Sequence, residues 1–316
     1  MPAPPTKLAL LAAFAALYLI WGSTYLAIRF AIETIPPLLM AGTRFLLAGL
    51  IIHAIARWQG APRASLRDWR TSLIVGACLL VGGNGGVTLA EQYVSSGLAS
   101  VMVATVPIYI ALLAWAMGTA PRPAPIVWLG LAGGFIGVGI LVAPALHFSP
   151  NDTSHPAIGM VILLCSSFLW SVGSIYSTKA KIVSNPFLAA GQQMVCGGAL
   201  LTLGGLFTGE LHRVDPGHMS YLSVGSFAYL VTIGAVVGYS AYAYLLRHCD
   251  PSKVATYAYI NPIVAVLLGA LFAGETLTAR AIVAAGLIVG SVALVITVQQ
   301  TRPKTVPFHA ALAEAD

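Results

Sequence analysis

The chain has 316 residues, of which 58% are hydrophobic and only 8% charged, and its mean hydropathy is +0.86. Roughly a quarter of the residues of an average soluble domain are charged, so this composition excludes a soluble globular protein and implies a polytopic membrane protein. The formal charge of +6 sits mostly in one set of connecting loops, and no aromatic-basic platform outside the membrane supports nucleic-acid binding.

Apolar runs of about 20 residues, the length of a membrane-crossing helix, fall near 8–30, 38–57, 71–92, 98–118, 126–146, 157–178, 187–208, 221–246, 254–273 and 281–299. The expected fold is an all-α membrane protein with ten transmembrane helices. Strands are excluded because the runs lack period-two alternation and are too long for a membrane strand. The first run follows Lys7 as "LALLAAFAAL" and continues past Trp21, which marks a retained helix rather than a secretory signal. The second carries Arg44 and, near its end, His53; the third carries Asn84 and ends at Glu91; the fourth has Pro107 at its middle. In the second half Trp170 lies in the sixth run, Gln192 and Gln193 in the seventh, Tyr239, Ser240, Tyr242 and Tyr244 in the eighth, and Tyr257, Tyr259, Asn261 and Pro262 in the ninth. Cys78, Cys165, Cys196 and Cys249 have no metal-ligand spacing and read as packing thiols. No cofactor or metal is expected.

Lys and Arg set the orientation. Lys7, Arg57, Arg63, Arg67, Arg70, Arg122, Lys179, Lys181, Arg247, Lys253, Arg302 and Lys304 share one side if there are ten spans, whereas the opposite loops hold Arg213 and Arg280. Both termini are therefore expected in the cytoplasm.

The first half recurs, diverged, in the second. Trp21, Pro37, Ala41 and Gly42 align without a gap on Trp170, Pro186, Ala190 and Gly191; "GLASVMVATVPI" aligns with "KVATYAYINPI" after one deletion, pairing Pro107 with Pro262; and Gly133-x-x-x-Gly137 aligns with Gly286-x-x-x-Gly290. Five spans per repeat is an odd number, so the second copy must be inverted. The expected organisation is a five-helix repeat over 1–148, its inverted copy over 149–300, and a polar cytoplasmic tail over 301–316. Inverted repeats are the building plan of many secondary transporters, with the binding site near the midplane between the halves.

The segment "LYLIWGSTYLAIRFAIETIPPLLMAGTRFLLAGL", together with "NPIVAVLLGALFAGETLTARAIVAAGLIVGSVAL" near the end, resembles the drug/metabolite transporter superfamily in its EamA branch, over nearly the whole chain from Leu8 to Thr297. The resemblance implies a ten-helix permease of a bacterial inner membrane, many of whose kind export amino acids, related metabolites or drugs. It further implies that helices 1 to 4 and 6 to 9 surround a central cavity while 5 and 10 pack at the side. One departure stands out: the first repeat has "MGTAPRPAP" where the second has "AGETLTARA", so Glu275 has no acidic counterpart.

The expected function is alternating-access export of small metabolites, amino acids or related compounds foremost; a passive channel or facilitator and a broad-specificity drug efflux carrier are the alternatives. An enzyme is disfavoured because no H-E-x-x-H, no G-x-S-x-G and no carboxylate pair at catalytic depth occurs. The pathway candidates are Trp21, Tyr25, Arg44, Asn84, Trp170, Gln193, Tyr239 and Asn261. Trp21 and Trp170 each lie about 20 Å from their helix starts at 1.5 Å per residue, at mirrored depths, and are followed by small or hydroxyl residues. They either line a shared cavity or pack against neighbouring helices. The polar residues must face inward, away from lipid, where they line the pathway or bond between helices. Arg44 sits about 9 Å along its helix, where an unpaired charge is costly. It either forms an ion pair with Glu91 or Glu33 or attracts an anionic group of the substrate. Arg29 and Glu33 have the spacing of an interfacial pair. Pro107 and Pro262 read as matched kinks, either gates or fixed bends. No Asp or Glu lies at the centre of a span, so proton coupling has no clear group and Glu91 is the best available proton acceptor. The GxxxG pairs, including Gly82/Gly86, Gly130/Gly134, Gly133/Gly137, Gly234/Gly238 and Gly286/Gly290, allow close helix packing. A monomer or a homodimer through helix 5 or 10 both remain open.

Overall fold

The computed structural model describes residues 6–118, 122, 124–142, 155–180, 185–249, 254, 256–276 and 278–301. The tail expected to be cytoplasmic, and Lys181, Lys253, Arg302 and Lys304, lie outside the described residues. Within them the chain is helical and contains no strand. We label the helices α1 (Lys7–Ala31), α2 (Pro37–Trp58), α3 (Leu66–Ala90), α4 (Ser96–Ala116), α5 (Pro125–Val142), α6 (Pro156–Lys179), α7 (Pro186–Phe207), α8 (Tyr221–His248), α9 (Tyr257–Phe272) and α10 (Ala279–Thr301). Eight are long and apolar enough to cross a membrane; Pro125–Ile140 of α5 and Tyr257–Phe272 of α9 are shorter apolar helices.

Their starts are written locally. Proline opens α2, α5, α6 and α7, where its missing N–H would be unpaired anyway and its fixed φ suits a first helical turn. Ser65 and Asp68 form a capping box on α3, Ser220 caps α8, and the Asn185 side chain accepts from the amides of Phe187 and Leu188 on α7.

Two helices change their hydrogen-bond pattern at mid-length. In α3 the stretch Ala77–Gly85 is π-helical, and in α8 the stretch Leu230–Val237 is π-helical. Helix α4 is broken instead: Ser96–Val103 ends in a turn at Ala104–Thr105, and Val106–Ala116 restarts with Pro107 in its first turn. Pro262 behaves differently, lying inside an unbroken α9. The two aligned prolines therefore sit in different local settings. Pro107 falls at the joint between two helical segments, where its missing N–H coincides with a helix start.

Helices α2 and α7 pack along each other most extensively, and α5 packs along α10. The first segment of α4 packs on α1, α6 and α9, the second on α6 and α10. Two large apolar clusters result. One joins α4, α5, α6 and α10 through Met102, Ile108, Leu131, Leu163, Ile288 and Val292, and the other joins α2, α3, α7 and α8 through Phe45, Ile52, Leu80, Met194, Leu201 and Val231.

Glycines make these contacts close. A Cβ on Gly42 would meet the backbone nitrogen of Thr202, and one on Gly198 would meet that of Leu46. Gly130, Gly134 and Gly137 face Val295, Ile108 and Ile288, which fits the expected role of small residues. Gly286 and Gly290 do not: a Cβ on either meets nothing within 4 Å, because they face away from α5. The thiols also depart from expectation, since Cys165 is exposed and Cys78, Cys196 and Cys249 are half-buried.

Candidate functional site

A central cavity of about 400 Å³ lies between the two halves of the chain. Helix α1 contributes Trp21, Thr24 and Tyr25; α2, Arg44 and Phe45; α3, Gly83 and Asn84; α4, Ser100, Val103 and Pro107. From the second half α6 contributes Ser166, Ser167, Trp170 and Ser174; α8, Gly234, Tyr239 and Tyr242; α9, Tyr257, Asn261 and Pro262; and α10, Ile296. Gln193 is not among the lining residues, and neither is any other residue of α7. That helix lies behind α2, and Gln192 is fully buried with neither amide atom bonded.

The two indoles are held the same way. Trp21 of α1 lies over Gly238 of α8, where a Cβ would come 2.5 Å from its Nε1, and Trp170 of α6 lies over Gly83 of α3, where a Cβ would come 2.6 Å from its ring. Each tryptophan thus crosses into the other half and rests on a glycine in, or one residue beyond, a π-helical segment. A π-helix is rare and tends to mark functional positions. Trp21 also meets Tyr239, Tyr242 and Tyr257 at ring-centroid distances of 5.3, 5.3 and 5.0 Å, within the range of favourable aromatic pairing. Among the described residues no such ring cluster surrounds Trp170, so the aromatic wall is one-sided.

Arg44 is 3% exposed. Its Nη2 donates to the Asn84 Oδ1 at 3.2 Å, its guanidinium carbon lies 4.3 Å from the Phe45 ring centre, and its Nε has no partner. It makes no ion pair among the described residues. Glu91 is fully buried, and neither carboxylate oxygen accepts a hydrogen bond. Glu33 is exposed. Arg29 does not pair with Glu33 as its spacing suggested; its Nη1 donates to the main-chain carbonyl of Glu91 at 2.6 Å. That carbonyl lies at the C-terminal end of α3, where it has no intrahelical partner.

Asn261 is 7% exposed, and with its amide turned so that nitrogen meets acceptors it donates to the carbonyls of Tyr257 at 3.2 Å and Tyr18 at 3.3 Å. It ties α9 to α1 while lining the cavity. The serines of α6 mostly bond backward along their own helix, Ser166 to Ile162 and Ser174 to Trp170, a habit of hydroxyls in apolar helices. Ser166 and Ser100 went unnoticed as lining residues in the sequence, because a hydroxyl satisfied by its own helix is legible there only as a small residue.

The end of the bundle where α1 stops and α2 begins, the far end, is tied by two carboxylates. Glu210, after α7, accepts from the amides of Leu38 at 3.2 Å and Leu39 at 2.9 Å. Glu275, after α9, accepts from the amide and hydroxyl of Ser96, both at 2.7 Å, and from the amide of Gly97 at 2.9 Å. Each caps the exposed amides and positive dipole end of a helix from the other half, α2 in one case and α4 in the other. Among the described residues no three His, Cys, Asp or Glu side chains are grouped as a metal site.

The family model for the EamA-like transporter family matches residues 7–143 and again residues 157–297. The chain is 38% identical over 289 residues to the uncharacterized inner membrane transporter YedA of Escherichia coli (strain K12), covering 91% of this chain and 90% of that one. It is 26% identical to the uncharacterized transporter YvbV of Bacillus subtilis (strain 168), covering 93% of each. A crystal structure of a protein superposes with a TM-score of 0.62 at 20% identity, covering 95% of this chain and all of that one; at that identity the likeness concerns the fold alone.

Proposed function

This chain belongs to the EamA-like transporter family and is a multi-pass inner membrane transporter, and from that premise we propose that it exports small amphipathic metabolites, amino acids or related compounds, by alternating access. In this reading ten transmembrane helices form two inverted five-helix repeats, over 1–148 and 149–300, with both termini cytoplasmic. The substrate occupies the central cavity, and the two halves rock about it.

One observation carries the reading: the cavity is built from both halves and is bounded by two tryptophans that cross reciprocally onto glycines of α8 and α3. A site at the interface between repeats is where a rocking carrier holds its substrate, and a flat ring beside hydroxyls suits an amphipathic ligand. Tyr25, Tyr239, Asn84 and Asn261 add polar contacts along the wall. Gln193 supports helix packing rather than the pathway, since it lies outside the lining. The broken α4 at Pro107 is the gate-side joint, and Pro262 is a fixed element of the wall.

Glu91 is the proton acceptor if transport is proton-coupled, because it is the buried carboxylate nearest the cavity cation. Purified protein in proteoliposomes tests the whole reading: labelled amino acids, nucleosides and cationic drugs are screened with and without a pH gradient. Saturable uptake accelerated by counter-substrate supports a carrier. Non-saturating flux without counterflow identifies a channel, and flux of the cationic drugs alone identifies a drug efflux carrier. Gradient-driven uptake that Glu91→Gln abolishes while counterflow persists identifies the coupling group.

A further inference from the structure

The charge pattern of the cavity narrows its ligand. Among the described residues that line it, Arg44 is the only formally charged one. Its hydrogen-bond partner is the neutral carbonyl oxygen of Asn84 rather than a carboxylate. The nearest acid in its surroundings, Glu91, stands behind the wall with both oxygens unbonded and does not pair with it. Among the described residues no carboxylate is hydrogen-bonded to Arg44, and its charge has no contacting counterion.

We propose that Arg44 anchors an anionic group of the transported molecule and that Asn84 positions the guanidinium for it, so that the cavity takes amphipathic organic anions, a carboxylate on a flat apolar body, in preference to zwitterions and cations. The inference rests on the cavity being the substrate pathway, and it narrows the substrate class proposed above to the carboxylate-only relatives of amino acids, with free amino acids the weaker ligands. A guanidinium has five N–H donors and a fixed fork suited to carboxylate oxygens; one donor is engaged by Asn84, and the Nε has no partner. A neutral acceptor orients the fork without cancelling its charge, whereas a carboxylate at the same place would do both. The rest of the lining offers the apolar body aromatic surfaces in Trp21, Trp170 and Tyr257. It offers an ammonium group no carboxylate, so a zwitterion gains at one end what it loses at the other. In a low-dielectric cavity one uncompensated charge suffices to set the preferred sign of the ligand.

A matched series that keeps the ring and changes only the charge tests this on the purified full-length protein: 3-phenylpropionate, its neutral amide, free phenylalanine and phenethylamine, competing for bound labelled 3-phenylpropionate. The expected order is anion first, by at least tenfold over phenylalanine and the amide, with phenethylamine the weakest. Arg44→Gln abolishes the preference, and Arg44→Lys retains part of it. Asn84→Asp supplies the missing countercharge and brings phenethylamine level with or ahead of the anion. Phenethylamine binding as tightly as 3-phenylpropionate to the unaltered protein, a result that needs no variant to fold, overturns the proposal, as does an unchanged order in folded Asn84→Asp. Counterflow of other solutes without the anion preference removes the anion site and leaves the carrier. Anion-selective binding without counterflow removes the carrier and leaves the site.

Discussion

Gly238 and Gly83 matter because of what rests on them. A methyl group at either position would come 2.5 or 2.6 Å from the indole of Trp21 or Trp170, and the ring can yield only by swinging into the cavity. Overpacking of this kind costs about 1–3 kcal/mol. Gly238→Ala and Gly83→Ala are therefore expected to lower the initial transport rate about tenfold per 1.4 kcal/mol of lost fit, with a smaller fall in folded yield. Rates normalised to monodisperse protein check this; equal losses of rate and yield would count against it. Glu275 acts at the same scale but on stability. Three donors converge on its carboxylate, and Gly269, which has no side chain, leaves it room. Loss of a capping carboxylate costs about 0.5–2 kcal/mol, so Glu275→Gln should lower the apparent melting temperature in detergent. Glu275→Asp, whose shorter side chain keeps the charge, should lower it less. No change in melting temperature for Glu275→Gln would mean that the cap does not hold α4.

At the scale of elements, α2 and α7 approach through glycines on both sides. Gly198→Ala would place a methyl group against the backbone of Leu46, whereas Gly204→Ala meets nothing within 4 Å. The first is expected to reduce yield and melting temperature by the ~1–3 kcal/mol of a strained packing change, and the second to leave both unaltered; the same thermal assay reads the pair. The presence of the helices was legible in the sequence because an apolar run of membrane length has few other uses. Their internal departures were not. The glycines of α3 and α8 read equally well as ordinary close-packing residues, and nothing in "LVGGNGG" or "LVTIGAVVG" separates a π-helical turn from an α-helical one. The prolines differ for a related reason. Pro107 and Pro262 occupy aligned positions, but the consequence of a missing N–H depends on whether the preceding residues turn, as Ala104 and Thr105 do. In the site, Trp21 and Trp170, singled out in the sequence as aligned residues of the two repeats, both line the cavity. The partner of Arg44 was not legible, because choosing between Glu91, Glu33 and Asn84 requires the rotation of α3 about its axis.

For the whole molecule, the topology proposed from the one-sided Lys and Arg distribution would put Pro62 in the cytoplasm and Gly217 on the opposite side. In a background without the four native cysteines, Pro62→Cys should react with an impermeant thiol reagent only after permeabilisation, and Gly217→Cys should react from outside in intact cells. The reverse pattern would invert the topology. Hydrogen bonds from Arg29 to the Glu91 carbonyl, from the Ser223 hydroxyl to the Phe30 carbonyl and onto Glu210 and Glu275 tie the far end, and the cavity lies between that end and the aromatic cluster about Trp21. A carrier must break one set of contacts while keeping the other, and it carries substrate only as fast as it exchanges them. Counterflow in proteoliposomes reads that exchange directly: vesicles loaded with excess unlabelled substrate should accumulate labelled substrate transiently above equilibrium, and Trp21→Ala and Trp170→Ala should abolish the overshoot in folded protein. Equilibration without any overshoot in the unaltered protein would contradict alternating access through this cavity.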